Sequence, residues 1–135
     1  MITAVDTNIL VDILEPDPVY GPVSRDALKQ CLREGSVIAS EVVWAEVVTA
    51  YGHAIEEVVD ALIQIGIEYK PMSLEAALEA ARCWFEYRKQ GRDRNRIAAD
   101  FLIGGYALMQ SDRLLTRDRG FYRKYFTPLR VKSPS

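Results

Sequence analysis

One histidine and two cysteines stand among 135 residues, and that scarcity excludes several chemistries together. A structural zinc site draws on four Cys or His donors and a disulfide scaffold on several bridges in a short secreted chain. Cys31 and Cys83 form no CxxC, so both thiols read as core filler in a reducing compartment. His53 follows Gly52 and reads as a helix-opening or solvent-facing residue, not a ligand. Long apolar runs are missing as well: no stretch approaches the roughly 18 residues of a membrane span. The first apolar run has no basic start and carries Asp6 and Asp12, which argues against a signal peptide. The expectation is a cytoplasmic protein with no membrane partner.

An excess of one charge is also absent, since 17 Lys and Arg face 19 Asp and Glu for a net −2. The neutrality hides a split. Residues 1–68 hold three basic and twelve acidic groups, and residues 69–135 hold fourteen and seven, an asymmetry that points to a charged partner or site. The composition, 49% hydrophobic and 27% charged, is that of a globular chain. Its length suits one core, because about 150 residues bury roughly 70% of their unfolded surface. We expect one domain over residues 1–132 and a frayed tail over 133–135, with Lys132 already loose.

The pattern along the chain predicts short buried strands alternating with helices. Residues 2–5 form an apolar strand ended by Asp6, Thr7 and Asn8, which start a polar turn or helix. Pro16, Pro18, Gly21 and Pro22 mark a loop. Helices are expected over 23–33, from the N-cap Ser40 to Tyr51, over 54–64, over 74–90 and over 97–109. Strands are expected at 37–39, 67–69, 113–116 and 129–131, with a helical turn at 121–125. Gly104 and Gly105 predict close packing of their helix on a neighbour, and helix faces of this kind suit a dimer. Trp44, Trp84, Phe85 and Tyr87 read as core or interface. Alternating short strands and helices imply βαβ units: an α/β sandwich with a parallel sheet covered on both faces. In such sheets ligands bind where the carboxyl ends of the strands gather.

Two acids follow strands by this reading: Asp6 after the first, Asp118 after Leu114–Thr116. Two more, Glu46 and Asp100, lie in apolar helices, beside Val42, Val43, Val47 and Val48 and beside Ile97, Phe101, Leu102 and Ile103 respectively. A buried unpaired carboxylate is costly and calls for a cation, a hydrogen-bond network or a wet cleft. Four of them sharing one cleft would need a hard divalent cation with oxygen ligands, Mg²⁺ or Mn²⁺ in its place. Such an ion activates water for phosphodiester displacement. Arg92, Arg94, Arg96, Arg117 and Arg119, with Arg123 and Lys124, flank Asp100 and Asp118 in sequence and suit a polyanionic substrate.

The segments VDTNILVDIL, SEVVWAEV, RIAADFLIGGYAL and LLTRDRGFY resemble, in order and spacing, the four acidic motifs of PIN-domain ribonucleases, and closely those of the VapC toxins of toxin–antitoxin pairs. The resemblance spans nearly the whole chain. It implies a single PIN-like domain that is a Mg²⁺-dependent endoribonuclease acting on RNA, homodimeric, and restrained by a VapB antitoxin. Asp6, Glu46, Asp100 and Asp118 would be the acidic quartet at the metal, with Asp6 and Asp100 the direct ligands and Glu46 and Asp118 acting mainly on its water or through it. Asn8 and Thr116 match the family's supporting polar positions. Asp112 departs from the pattern, where many relatives carry small or apolar residues, and it receives no role.

Competing readings are weaker. A phosphoaspartate phosphatase needs a second Asp two residues after the first, where this chain has Asn8. A receiver domain needs a Lys near the site, and Thr116 is followed by Arg117. The non-enzymatic alternative is an α/β binding module whose acidic cleft holds an arginine-bearing partner.

Overall fold

The computed structural model describes residues 1–52, 54–90 and 98–134. The chain opens with β1 (Ile2–Val5), whose last three residues are fully enclosed. Asp6 ends the strand because its carboxylate accepts from the Thr7 amide and so caps α1 (Thr7–Leu14). That helix is the full form of the polar turn or helix start expected after Asp6. Helix α2 (Gly21–Glu34) starts ahead of the expected Val23, with Pro22 in its first turn, where a missing amide costs nothing. Next come β2 (Ser36–Ala39) and α3 (Glu41–Ala50), with Ser40 Oγ accepting from the Val42 amide as expected. Helix α4 (Ile55–Ile65) stops at Gly66, whose φ of 107° only glycine adopts without strain.

Strand β3 (Ile67–Tyr69) leads to α5 (Leu74–Lys89), capped by Ser73, and α6 (Ala98–Gln110) follows. The chain then closes with β4 (Arg113–Leu115), α7 (Arg119–Tyr125) and β5 (Val131–Lys132). The last strand corrects the expected fraying of Lys132, which pairs with Leu115 and whose carbonyl accepts from the Thr116 amide at 3.0 Å.

All five strands are parallel, in the order β3-β2-β1-β4-β5. The path builds outward from β1 to β2 and β3, then returns to the other side of β1 for β4 and β5. Strand β1 is therefore the point where the winding reverses, and the crevice at the carboxyl ends of β1 and β4 is where such sheets place ligands. Ile9, Leu10, Val37, Ile38, Val47, Leu62, Leu114 and Leu115 are sealed in the core between sheet and helices. Cys31 is buried there and both cysteines are free thiols. Among the described residues, no helix is long and apolar enough to cross a membrane.

The Gly104–Gly105 pair faces inward. A Cβ at Gly104 would meet the Phe126 ring at 2.4 Å, and one at Gly105 would meet the Ala76 carbonyl oxygen at 2.6 Å. The close packing expected from the sequence is thus α6 against α5 and Phe126 within one chain, so the pair itself supplies no surface for a dimer.

Candidate active site

Backbone pairing places the first two site residues side by side. The Asp6 amide donates to the Leu115 carbonyl at 3.0 Å, continuing the β1–β4 ladder one step past the strand. Thr116 therefore lies opposite Asp6, and its hydroxyl donates to Asp6 Oδ2 at 2.7 Å. The other carboxylate oxygen accepts from the Thr7 amide at 2.7 Å. Asn8 Nδ2 stands 3.4 Å from both Asp6 Oδ2 and Thr116 Oγ1. Thr116 Oγ1 also accepts from the Asp118 amide at 2.9 Å, turning the chain after β4. Asn8 and Thr116 are thus the side chains that hydrogen-bond Asp6 Oδ2.

Asp6 is 6% exposed. Burial pushes its carboxyl up to about 6; hydrogen bonds from Thr116, Thr7 and Tyr122 oppose the rise, and the charge of Asp100 adds to it. Tyr122 was not foreseen. Its hydroxyl is hydrogen-bonded to Asp6 and lies in the combined field of Asp6, Asp100 and Asp118, so burial and those three charges hold it protonated far above the usual phenol range. One buried hydroxyl is thus within the electrostatic reach of three of the four predicted acids. Only its adjacency to Phe121 at the start of α7 could have signalled it, and aromatic residues there are ordinary core.

Ring packing fixes these acids relative to one another. Phe101, directly after Asp100, packs edge-on against Phe121 of α7 with centroids 5.2 Å apart, and against Tyr87 at 5.2 Å. Phe121 in turn contacts Tyr122 at 5.0 Å. The start of α6, with Asp100 in its first turn, is locked to α7, which begins just after Asp118. Asp118 precedes α7 without capping it through its side chain, so the ordinary cap role is not what holds it there. Glu46, half-buried in α3, accepts from the Thr7 hydroxyl at 2.6 Å through Oε1. That bond fixes it next to Asp6 through Asp6's neighbour.

The predicted basic residues divide. Arg92, Arg94 and Arg96 lie outside the described residues, as does His53. Arg119 is exposed and, with Arg117, Tyr20, Val23 and Ser133, lines an open cleft of about 500 Å³. Arg117 is engaged within the protein, forming a two-pronged ion pair with Asp12. Asp12 and Tyr122 are the residues that sequence reasoning missed. Asp112, which had received no role, accepts from the Ile2 amide at 2.6 Å and ties the approach to β4 onto the start of β1.

Residues 3–127 match the family model of the PIN domain. The chain belongs to the PIN-domain family. No curated protein matches it in sequence. Several solved structures share the PIN fold. The VapBC2 structure from Rickettsia felis, bound to a promoter DNA fragment, has a TM-score of 0.79 at 18% identity, with 100% of each chain covered. VapBC-1 from nontypeable Haemophilus influenzae gives 0.74 at 20% identity over 98% of each chain. FitAcB from Neisseria gonorrhoeae gives 0.72 at 23% identity over 99% of this chain and 98% of that one. The α/β PIN architecture expected from the sequence is the one observed.

The donor set of this PIN domain suits a hard cation. Among the described residues, the groups that hydrogen-bond Asp6 are neutral, and an acid, Asp100, adds to its charge. A buried carboxylate in that position has its charge uncompensated, which a divalent ion would relieve. Among the described residues, no group of three or more His, Cys, Asp or Glu side chains is placed to hold an ion by itself. Mg²⁺ keeps several waters and takes one or two carboxylates together with substrate phosphates, so a site for it does not require such a group.

Proposed function

We propose that this PIN domain is a Mg²⁺-dependent endoribonuclease and the VapC-type toxin of a toxin–antitoxin pair. The observation that supports the reading is that Asp6, Asp100 and Asp118 all act electrostatically on the buried Tyr122 hydroxyl at the crevice where the sheet reverses. Asp6 and Asp100 would hold the ion directly, and Glu46 and Asp118 would act on its waters; Mn²⁺ would substitute. When bound, the ion supplies an activated water and neutralises charge on the scissile phosphate.

This chain's own residues do the rest. Thr116, Asn8 and the Thr7 amide aim the Asp6 carboxylate. The Thr7 hydroxyl holds Glu46 at the other flank. Exposed Arg119, with Arg92, Arg94 and Arg96, would bind the backbone phosphates of RNA as point charges. The structural relatives VapBC and FitAcB support a VapB-type antitoxin as partner, one that would place an arginine among the same carboxylates. A homodimer in the cytoplasm completes the reading.

The decisive experiment measures RNA cleavage with and without Mg²⁺ for the wild type, Asp6→Asn and Asp100→Asn. Cleavage that requires Mg²⁺ and disappears in both variants, each still folded by circular dichroism, is the expected result. Full activity in either variant refutes the assignment.

A further inference from the structure

Among the described residues, Asp12 is the one buried acid that the proposed metal site leaves unused. It is 4% exposed, in the apolar helix α1, and Arg117 meets it with a two-pronged fork: Nε to Oδ2 at 2.7 Å and Nη2 to Oδ1 at 3.0 Å. Ser24 of α2 donates its hydroxyl to Oδ2 at 2.7 Å. The guanidinium also lies over the Tyr20 ring, 4.0 Å from its centroid. The ring is set by Asp17, whose carboxylate accepts from the Val19 and Tyr20 amides. The backbone of Arg117 is held too, its amide donating to Asn8 Oδ1 at 3.3 Å.

Asn8 and Asp12 are four apart on one helix and therefore share a face. One face of α1 thus grips Arg117 twice, by main chain and by side chain. Arg117 lies between Thr116, which donates to Asp6, and Asp118. A bidentate Arg–carboxylate pair fixes direction as well as distance, so the pair transmits the position of α1 to the turn that follows β4.

We propose that Asp12 and Arg117 are a positioning pair: the buried Asp12 carboxylate, by gripping the Arg117 guanidinium, sets the Thr116–Asp118 turn so that the Thr116 hydroxyl meets Asp6 and the Asp118 amide is held on Thr116. The inference rests on the nuclease reading above for its catalytic consequence. It reassigns Arg117 from phosphate contact to a strut at the cleft surface. Asp12 touches no substrate, being enclosed by Arg117 and Ser24.

Two measurements on the same proteins test it: kcat and KM for RNA cleavage with Mg²⁺, and hydrogen–deuterium exchange of the segment 114–122. The variants are Asp12→Asn, Arg117→Ala, Arg117→Lys and the double variant Asp12→Asn with Arg117→Ala. Each single variant is expected to lose kcat about 10–100-fold, the range for a group that orients a ligating residue, with KM unchanged. The double variant is expected to be no worse than either single one, because both remove one link. The segment 114–122 exchanges faster in all of them. Lys does not restore kcat, since it lacks the fork.

Ser24→Ala loosens the same carboxylate without stranding a charge, so it replaces Asp12→Asn should that variant not fold. A raised KM with unchanged kcat in Arg117→Ala, beside a fully active Asp12→Asn, makes Arg117 an RNA contact and overturns the proposal. Lower melting temperatures with kcat and exchange unchanged reduce the pair to a stability element and overturn it equally. If the wild type cleaves no RNA, the proposed function falls while the exchange comparison still decides whether the pair holds the turn.

Discussion

Thr116 carries more of the site than its size suggests. Its single hydroxyl donates to Asp6, accepts from the Asp118 amide and stands within reach of Asn8. Thr116→Val keeps the shape and removes all three links, taking from the Asp118 amide its acceptor and from Asp6 Oδ2 its 2.7 Å donor. The expected outcome is a loss of about 10–100-fold in RNA cleavage or Mn²⁺ affinity, read by single-turnover kinetics and calorimetry, with circular dichroism unchanged. At this scale Asp6 and Asp118 stand out because each follows a strand, and Glu46 and Asp100 because a charge in an apolar helix needs a reason. Asp12 satisfied the same criterion inside VDTNILVDIL, yet its counter-ion lies 105 residues away. Local pattern shows that a partner is required and cannot say which of fourteen basic groups in the second half supplies it. Tyr122 was invisible for the opposite reason, since a buried tyrosine beside Phe121 satisfies every expectation of a core residue and only the folded chain brings Asp6 to its hydroxyl.

Among the elements, α6 is set by what its glycines admit. Gly105→Ala would drive a Cβ to 2.6 Å from a backbone oxygen of α5, which cannot step aside as a side chain end would. Overpacking of this kind costs about 1–3 kcal/mol, so the urea midpoint should fall with the slope unchanged. Because Asp100 rides on the same helix, cleavage should fall too if α6 shifts to relieve the clash, and a retained rate would mean that α5 yields instead. The helix capped by Ser40 was readable from sequence because capping is a local event, and α5 because its Ala, Leu, Glu and Arg favour a helix. The start of α2 was not, since Pro22 serves equally as a loop marker and as a first-turn residue. Strand β5 was misplaced because two paired residues at a sheet edge are recognised by their neighbour, β4, rather than by any periodicity of their own.

For the molecule as a whole, the charge split resolves into an acidic crevice with basic residues beside it in sequence. A cation that binds only the folded state stabilises it by mass action, about 2.7 kcal/mol at a concentration 100 times its dissociation constant. Mg²⁺ or Mn²⁺ should therefore raise the melting temperature of the wild type in scanning calorimetry, and Asp6→Asn should abolish that increment; an equal rise in both would place the ion elsewhere. Arg119→Ala should weaken RNA binding across sequences and flatten its salt dependence by about one unit of slope, measured by fluorescence anisotropy against KCl. The sheet itself ends in strands of three residues on one side and two on the other, β3 and β5. Rows that short, carrying Glu68 and Lys132, give another chain almost nothing to pair with. Growth of the sheet from copy to copy is thereby closed off at both margins, and self-association of this protein is left to its helix faces.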